Sequence, residues 1–264
     1  MSHTAKQPPL LDVADPAPVS VYLADGESPF FLTCEHAGRA IPARLGTLGL
    51  AAAELDRHIA WDIGAAGVAR ELAQRLDAPL VLQNYSRLVV DCNRAPDADD
   101  FITPVSEATP IPGNQAVADA EREARRHEIY APYHATISAL LDRRLAAGHA
   151  TVVVAVHSFT PVFHGVRRPW HIGVLHEHDP RLARALLDIL QDEEQESGHL
   201  VVGDNEPYFL SELRDYSVPV HGHQRGLPHV ELEIRQDLIG HAAGQSDWAR
   251  RLARVLPAAL DRIR

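Results

Sequence analysis

The run Phe30 to Cys34 is apolar enough for a buried strand, and it halts at Glu35-His36 before Ala37-Gly38. Thr151 to Val156 repeats the pattern and halts at His157-Ser158. In an open α/β sheet, ligands bind just outside the carboxyl ends of the strands, so histidines at two strand ends are placed for chemistry. Between and after these runs the sequence alternates further strands with helices. Val19 to Leu23 reads as an edge strand, residues 79–82 and 88–90 as short strands, His171 to Leu175 as another, and His229 to Arg235 as an alternating one. Helical spacing covers residues 50–76, 116–147 with a break at Pro132, a stretch starting at Asp179-Pro180, and 248–260. This alternation predicts an α/β fold, a three-layer sandwich around a largely parallel or mixed sheet.

The 45% hydrophobic content of the 264 residues is spread evenly. One domain over residues 19–264 is expected, with residues 1–18, rich in Pro, Ala and Asp, as a flexible leading segment. A net charge of -11 argues against a nucleic-acid or anionic-membrane surface. No apolar run approaches the ~20 residues that cross a bilayer, and the start MSHTAKQPPL has no signal-peptide core, so a cytoplasmic protein is expected. Two cysteines, Cys34 and Cys92, make no disulfide framework and are expected as reduced thiols.

Imidazole nitrogen is a good zinc ligand, and a catalytic zinc usually takes three protein ligands plus water. His36 and His157 are the first two candidates. The third is expected from the 50–76 helix, where His58 and Asp62, four apart, share a face so that one binds and the other supports. A carboxylate is then wanted to move the proton. Glu231 and Glu233 share one face of the strand 229–235, opposite Val230, Leu232 and Ile234; the structural alternative is an ion pair with Arg225 or Arg235. Glu35 ranks lower, because a continuing strand would turn it away from His36. Arg87, Asn93 and Arg94 flank a short apolar run, and arginine holds a carboxylate through paired hydrogen bonds. The proline-rich loop 95–115 is long enough to cover a site. His171, His176 and His178 form an alternative metal set. There is no HExxH, no CxxC, no GxSxG elbow and no phosphate-binding glycine loop.

Five blocks, CEHAG at 34–38, HIAWDIGA at 58–65, YSRLVVDCNR at 85–94, AVHSFTP at 155–161 and HVELEIRQDLI at 229–239, together resemble the N-formylglutamate amidohydrolase family over residues 28–240. The resemblance implies a zinc-exopeptidase-like α/β fold, similar to carboxypeptidases and aspartoacylases. It also implies hydrolysis of an N-formyl or other N-acyl amide of an acidic amino acid, the named reaction releasing formate and glutamate in histidine degradation. By that similarity one Zn2+, or another divalent ion, is held by His36, Asp62 and His157. Glu233 is the base and proton shuttle, Arg87, Asn93 and Arg94 grip the substrate, and Arg94 also polarises the carbonyl. Two departures are visible. Arg39 stands where the wider carboxypeptidase-like group has a ligating glutamate, which turns attention to Asp62, and HAG with RQDL replaces the HSG and the ending usual in the histidine-degrading enzymes. The alternatives are a non-catalytic protein for small carboxylate ligands and a metallopeptidase-like hydrolase of another amide. Homo-oligomerisation is left open.

Overall fold

A computed structural model describes residues 9–212 and 215–264. Seven strands make one sheet: β1 (Val19–Tyr22), β2 (Phe30–Cys34), β3 (Leu80–Gln83), β4 (Val152–Phe159), β5 (Ile172–Leu175), β6 (Val202–Asp204) and β7 (His229–Arg235). Their order across the sheet is β1-β3-β2-β4-β7-β5-β6. The central four, β3, β2, β4 and β7, are mutually parallel, while β1 runs antiparallel on one edge and β5 with β6 runs antiparallel to β7 on the other.

The two sheet faces are covered unequally. Alternation sends Phe30, Leu32 and Cys34 to one face, with Val152, Val154, Val156, Val230, Leu232 and Ile234. They pack against α1 (Ala65–Leu76), α3 (Arg181–Ser197) and α4 (Ala242–Asp261), whose apolar stripes complete a continuous core. Phe31, Val81 and Val153 point to the other face, where Ile129, Tyr133, Ile137 and Leu141 of one long helical stretch cover them. That stretch comprises Asp119–Arg125, a π-helical turn Arg126–Tyr130 and α2 (Ala131–Ala146), so the sequence-expected interruption at Pro132 is absorbed by the π turn rather than by a break. Over β4 and β7 this second layer is thin. The short helix Ser217–His221 and loops replace a long helix there, and His157 of β4 with Glu231 and Glu233 of β7 line the space left open.

The structure revises two elements. The helix expected over 50–76 is two pieces, Ala52–Leu55 and α1, joined by turns. Gly64 adopts φ +84°, and a Cβ there would lie 2.1 Å from the Ile239 carbonyl oxygen, so the chain bends where its backbone meets the segment after β7. Residues 88–90 form a buried turn and not a strand, closed by Val89 N–H to Ser86 O at 2.9 Å. Their carbonyls are satisfied by side chains: Asn114 Nδ2 donates to Leu88 O at 2.8 Å, and the fully buried Arg125 donates to Val89 O at 3.0 Å. Of the segment 1–18, residues 1–8 lie outside the described residues. Leu10 is buried, its N–H donates to Glu128 Oε1 at 2.8 Å, and Tyr85 Oη donates to Pro16 O at 2.7 Å. No helix among the described residues is long and apolar enough to cross a membrane.

Candidate metal centre and active-site cavity

β2 ends at Cys34, so Glu35 and His36 lie in a turn and both point inward, each buried. Strand parity no longer separates them, which is why Glu35 was underrated from sequence. His157 lies within β4, two residues before its end, beside Glu233 of β7 in the parallel register. Asp62 arrives from the turn before α1. Its N–H donates to His36 O at 2.9 Å, its Oδ2 accepts from Ser158 N at 3.2 Å, and Ser158 Oγ donates to Ile63 O at 2.9 Å. The loop is thus pinned to the ends of both strands.

These placements converge His36, Asp62 and His157 so that one candidate ligand atom from each lies within 4.8 Å of the others, all three residues being buried. Asp62 Oδ2 is 2.8 Å from His157 Nδ1 and 3.5 Å from His36 Nδ1. The far side of each ring meets another acid. His36 Nε2 contacts Asp91 Oδ1 at 2.7 Å, and Asp91 is held by Arg87 at 2.7 Å. His157 Nε2 lies 2.9 Å from Glu35 Oε2 without the alignment of a hydrogen bond, and Tyr133 Oη donates to Glu35 Oε1 at 3.1 Å. Carboxylates that fix ring orientation and raise basicity behind metal-binding histidines are the usual support of such sites. His36 Nδ1 is buried with no hydrogen-bond partner, the state of a nitrogen whose lone pair is reserved for a cation. Two imidazoles and one carboxylate are a donor set suited to zinc or a similar divalent ion.

The charges follow from this packing. Burial acts to raise the pKa of Glu35, but contact with the His157 ring outweighs it and brings the group down to about 2. Asp62 is likewise held below the usual carboxylate range, burial being overcome chiefly by the two histidines. Burial acts against a charged His157, yet Glu231, Asp62 and Glu35 around it raise its pKa well above the ordinary value.

The cluster forms the floor of a cavity of about 220 Å³. Arg87, Asn93, Arg94, Glu231 and Glu233 line it together with His36, Asp62 and His157, so the residues that the family resemblance assigns to metal, substrate and proton transfer face one space. Neither glutamate takes the ion pair considered from sequence: Arg235 pairs with Asp237 and Arg225 with Asp142. Glu231 Oε2 and Glu233 Oε2 are buried and lack partners. Burial pushes Glu231 up to about 8 and Glu233 well above the carboxylate range, His157 opposing both. The arginines are engaged. Arg87 reaches Asp91 and lies 3.6 Å from Asp62, and Arg94 donates to Asp100 at 2.8 Å and Asp215 at 3.3 Å. Asn93 Oδ1 accepts from Tyr216 N and Ser217 N, which ties the cavity wall together.

His58 does not join the cluster. With the helix broken it leaves Asp62's side and contacts Glu107 at 3.2 Å, higher on the cavity wall. Glu107 comes from a tight hairpin inside the proline-rich loop, which does line the site. His171, His176 and His178 disperse: His171 Nδ1 accepts from Val201 N, His176 contacts Asp204, and His178 lies on the surface. Cys34 and Cys92 are buried free thiols whose pKa is raised by burial. Sequence reasoning missed Glu35 and Asp91 as supports, and Tyr208, Phe209 and Asp215 as wall residues. Only Glu35 and Asp91 carried a signal, being acids inside the blocks that also hold His36 and Arg87.

Comparison with known proteins matches residues 28–240 to the model of the N-formylglutamate amidohydrolase family. The crystal structure of gene product Atu2144 from Agrobacterium tumefaciens superposes with a TM-score of 0.91 at 41% identity, covering 96% of this chain and 99% of that one. The structure of N-formylglutamate amidohydrolase from Ralstonia eutropha JMP134 superposes with a TM-score of 0.66 at 19% identity, covering 93% and 99%, and shares the fold. No significant match was found among curated proteins. A mostly parallel α/β sandwich, a buried His-Asp-His cluster with the composition of a metal-dependent amidohydrolase site, and a family match across most of its length lead to one statement: this chain belongs to the N-formylglutamate amidohydrolase family.

Proposed function

We propose that the protein is a zinc-dependent amidohydrolase that cleaves the N-formyl or another N-acyl amide of a small amino acid. The observation that carries this reading is the pairing, in one cavity, of a buried metal-type cluster with a buried, unpartnered Glu233 carboxylate on the adjacent strand. His36, Asp62 and His157 would hold the cation, which supplies a Lewis acid for the amide carbonyl and for water. Glu35 and Asp91 orient the two imidazoles. Glu233 takes a proton from the attacking water at its free Oε2 and returns it to the departing nitrogen. A raised pKa suits this, since the group must accept a proton as well as give one up. Arg94 is the candidate donor to the developing oxyanion, and Arg87, Asn93 and Arg94 are candidates for the substrate carboxylates.

One observation favours a version in which the amino acid is not N-formylglutamate. Arg87 and Arg94 are each already engaged by two acids, and Glu107, Asp215 and Glu231 line the same cavity. A dianion would have to compete with those carboxylates for both guanidiniums, whereas an N-acyl amino acid with an uncharged side chain would need only one.

The test is metal content together with formate or free-amine release from N-formylglutamate and from N-acyl derivatives of neutral amino acids, before and after chelation. One zinc per cluster with turnover that chelation abolishes and zinc restores is expected. Glu233→Gln should keep metal and fold while losing turnover; near-normal turnover in that variant would remove Glu233 from the role, and turnover that survives chelation would sink the metal reading.

A further inference from the structure

A second group of metal-type donors lies outside the cavity. His178, in the loop between β5 and α3, Glu212, in the loop after β6, and His223, in a short 3-10 turn, each offer one donor atom within 4.8 Å of the others. His178 Nε2 is 3.6 Å and His223 Nε2 3.9 Å from the same oxygen, Glu212 Oε1. Both separations are too long for hydrogen bonds. Donor atoms about 2.1 Å from a tetrahedral zinc stand roughly 3.4 Å from one another, close to the spacing seen here. The two rings stack with centroids 4.3 Å apart and an interplanar angle of 26°. A single cation between them satisfies all three donors at once.

Other contacts hold the donors in place. Glu177 Oε2 accepts from Glu212 N at 3.0 Å and lies 3.6 Å from His178 Nε2, and His223 packs against the buried His229. The loop carrying Glu212 also carries Tyr208 and Phe209 to the cavity wall and Asp215 to Arg94.

We propose that His178, Glu212 and His223 form a second, surface site for a divalent transition-metal cation such as zinc, and that the ion clamps the loop forming one wall of the cavity. The site has three protein donors and an open position facing solvent, and none of its donors lines the cavity. It makes the wall order of the cavity dependent on free metal.

Zinc bound per chain is measured by equilibrium dialysis and elemental analysis on the untagged full chain, on the double variant His178→Ala with His223→Ala, and on Glu212→Gln. Both variants are expected to bind one zinc fewer than the wild type, and zinc to raise the wild-type melting temperature more than theirs. The substituted side chains are well exposed and Glu212→Gln is isosteric, so loss of fold does not account for a missing ion. Because all three chains share the inner cluster, the difference between them does not depend on what that cluster does. Equal zinc in the wild type and the double variant overturns the site. Zinc lost with the histidines but retained in Glu212→Gln removes Glu212 as a donor and overturns the loop clamp.

Discussion

Among the described residues two pairs of touching histidines are buried, and they sit in opposite electrostatic surroundings. His36 and His157 meet edge-on with ring centroids 4.9 Å apart, and His134 and His221 stack at 5.2 Å. Around the first pair every ring nitrogen faces an acid: Asp62 on the near side, Asp91 and Glu35 on the far side. Around the second pair His134 Nδ1 faces His221 Nε2 at 2.9 Å, and His134 Nε2 faces the carbonyl of Cys92 at 2.9 Å. With only a neighbouring ring and a carbonyl as partners, burial brings His134 down to about 3, the charge of His221 adding to that, and His221 down to about 4, the charge of Arg225 adding to that. Burial acts the same way on both pairs. Acids brought in by loops turn one into a cation site, and their absence leaves the other a neutral packing element.

The sharpest way to break the comparison is to remove a donor from the first pair. His157→Ala leaves Glu35 and Asp62 buried without their central partner, and breaking a buried charge pair costs about 3–5 kcal/mol. Loss of bound metal and of measurable turnover is expected, seen by elemental analysis and product release, along with a lower denaturant midpoint. A smaller effect is expected from the supports. Glu35→Gln and Asp91→Asn keep shape but remove charge, and such outer partners are worth roughly 10–100-fold in metal affinity or activity. Titration with a competing chelator reads this directly; metal affinity unchanged in both variants would mean that the far-side acids are ordinary ion-pair partners.

How far the sequence could carry this contrast is visible in individual residues. The strand-end runs, the alternation of β7 and the charged helices were legible because burial imposes periods of 2 and 3.6. His36, Asp62, His157, Glu233 and the Arg87 to Arg94 block were identified through those elements and through the family resemblance. The state of each histidine was not legible. His134 and His221 owe theirs to contacts 87 residues apart in sequence, and Glu35 ranked low only on the assumption that the strand continues through it, whereas β2 stops at Cys34 and Glu35 lies in the turn that follows. Asp62 was placed on a helix, since Leu50 to Leu76 keeps helical spacing of apolar residues, but Gly64 in a left-handed conformation turns that spacing into a loop followed by α1. The apolar run at 88–90 misled in the same way, because Asn114 and Arg125 satisfy its carbonyls in place of a neighbouring strand.

The neutral pair makes a pH prediction of definite sign. In the unfolded chain both histidines titrate near 6.5, whereas in the folded protein they hold no proton until about 3 and about 4. Between those values the unfolded state binds more protons, so stability rises with pH and is lost as pH falls below about 6.5. Each histidine contributes a slope of at most about 1.4 kcal/mol per pH unit in that window. His157, Glu231 and Glu233, with raised pKa values, give the opposite slope in the same window. Denaturant unfolding of the metal-free chain at pH 7.5, 6 and 5 is therefore compared with that of the double variant His134→Phe with His221→Phe; the same pH dependence in both would show that the pair is hydrated or charged in the folded state.

The smallest effect isolates the neutral pair from the metal centre. His221→Phe keeps the ring stack and removes the buried His221 Nδ1, which has no partner, but it also leaves His134 Nδ1 without its donor, since the Nε2–H of the neutral His134 ring is committed to the Cys92 carbonyl. An unsatisfied buried group costs about 1–3 kcal/mol, and removing another offsets part of that, so a net loss of about 1 kcal/mol at pH 7.5 is expected. At pH 5 the loss should shrink or reverse, because the variant has one histidine fewer to protonate on unfolding. Metal content should stay at the wild-type value, since no atom of His221 reaches Asp62, Asp91 or Glu35 within hydrogen-bond distance. A drop in bound metal would show that the two pairs are coupled through Cys92 and its neighbour Asp91, and the contrast between a charged site and an inert pair would give way to one connected histidine network.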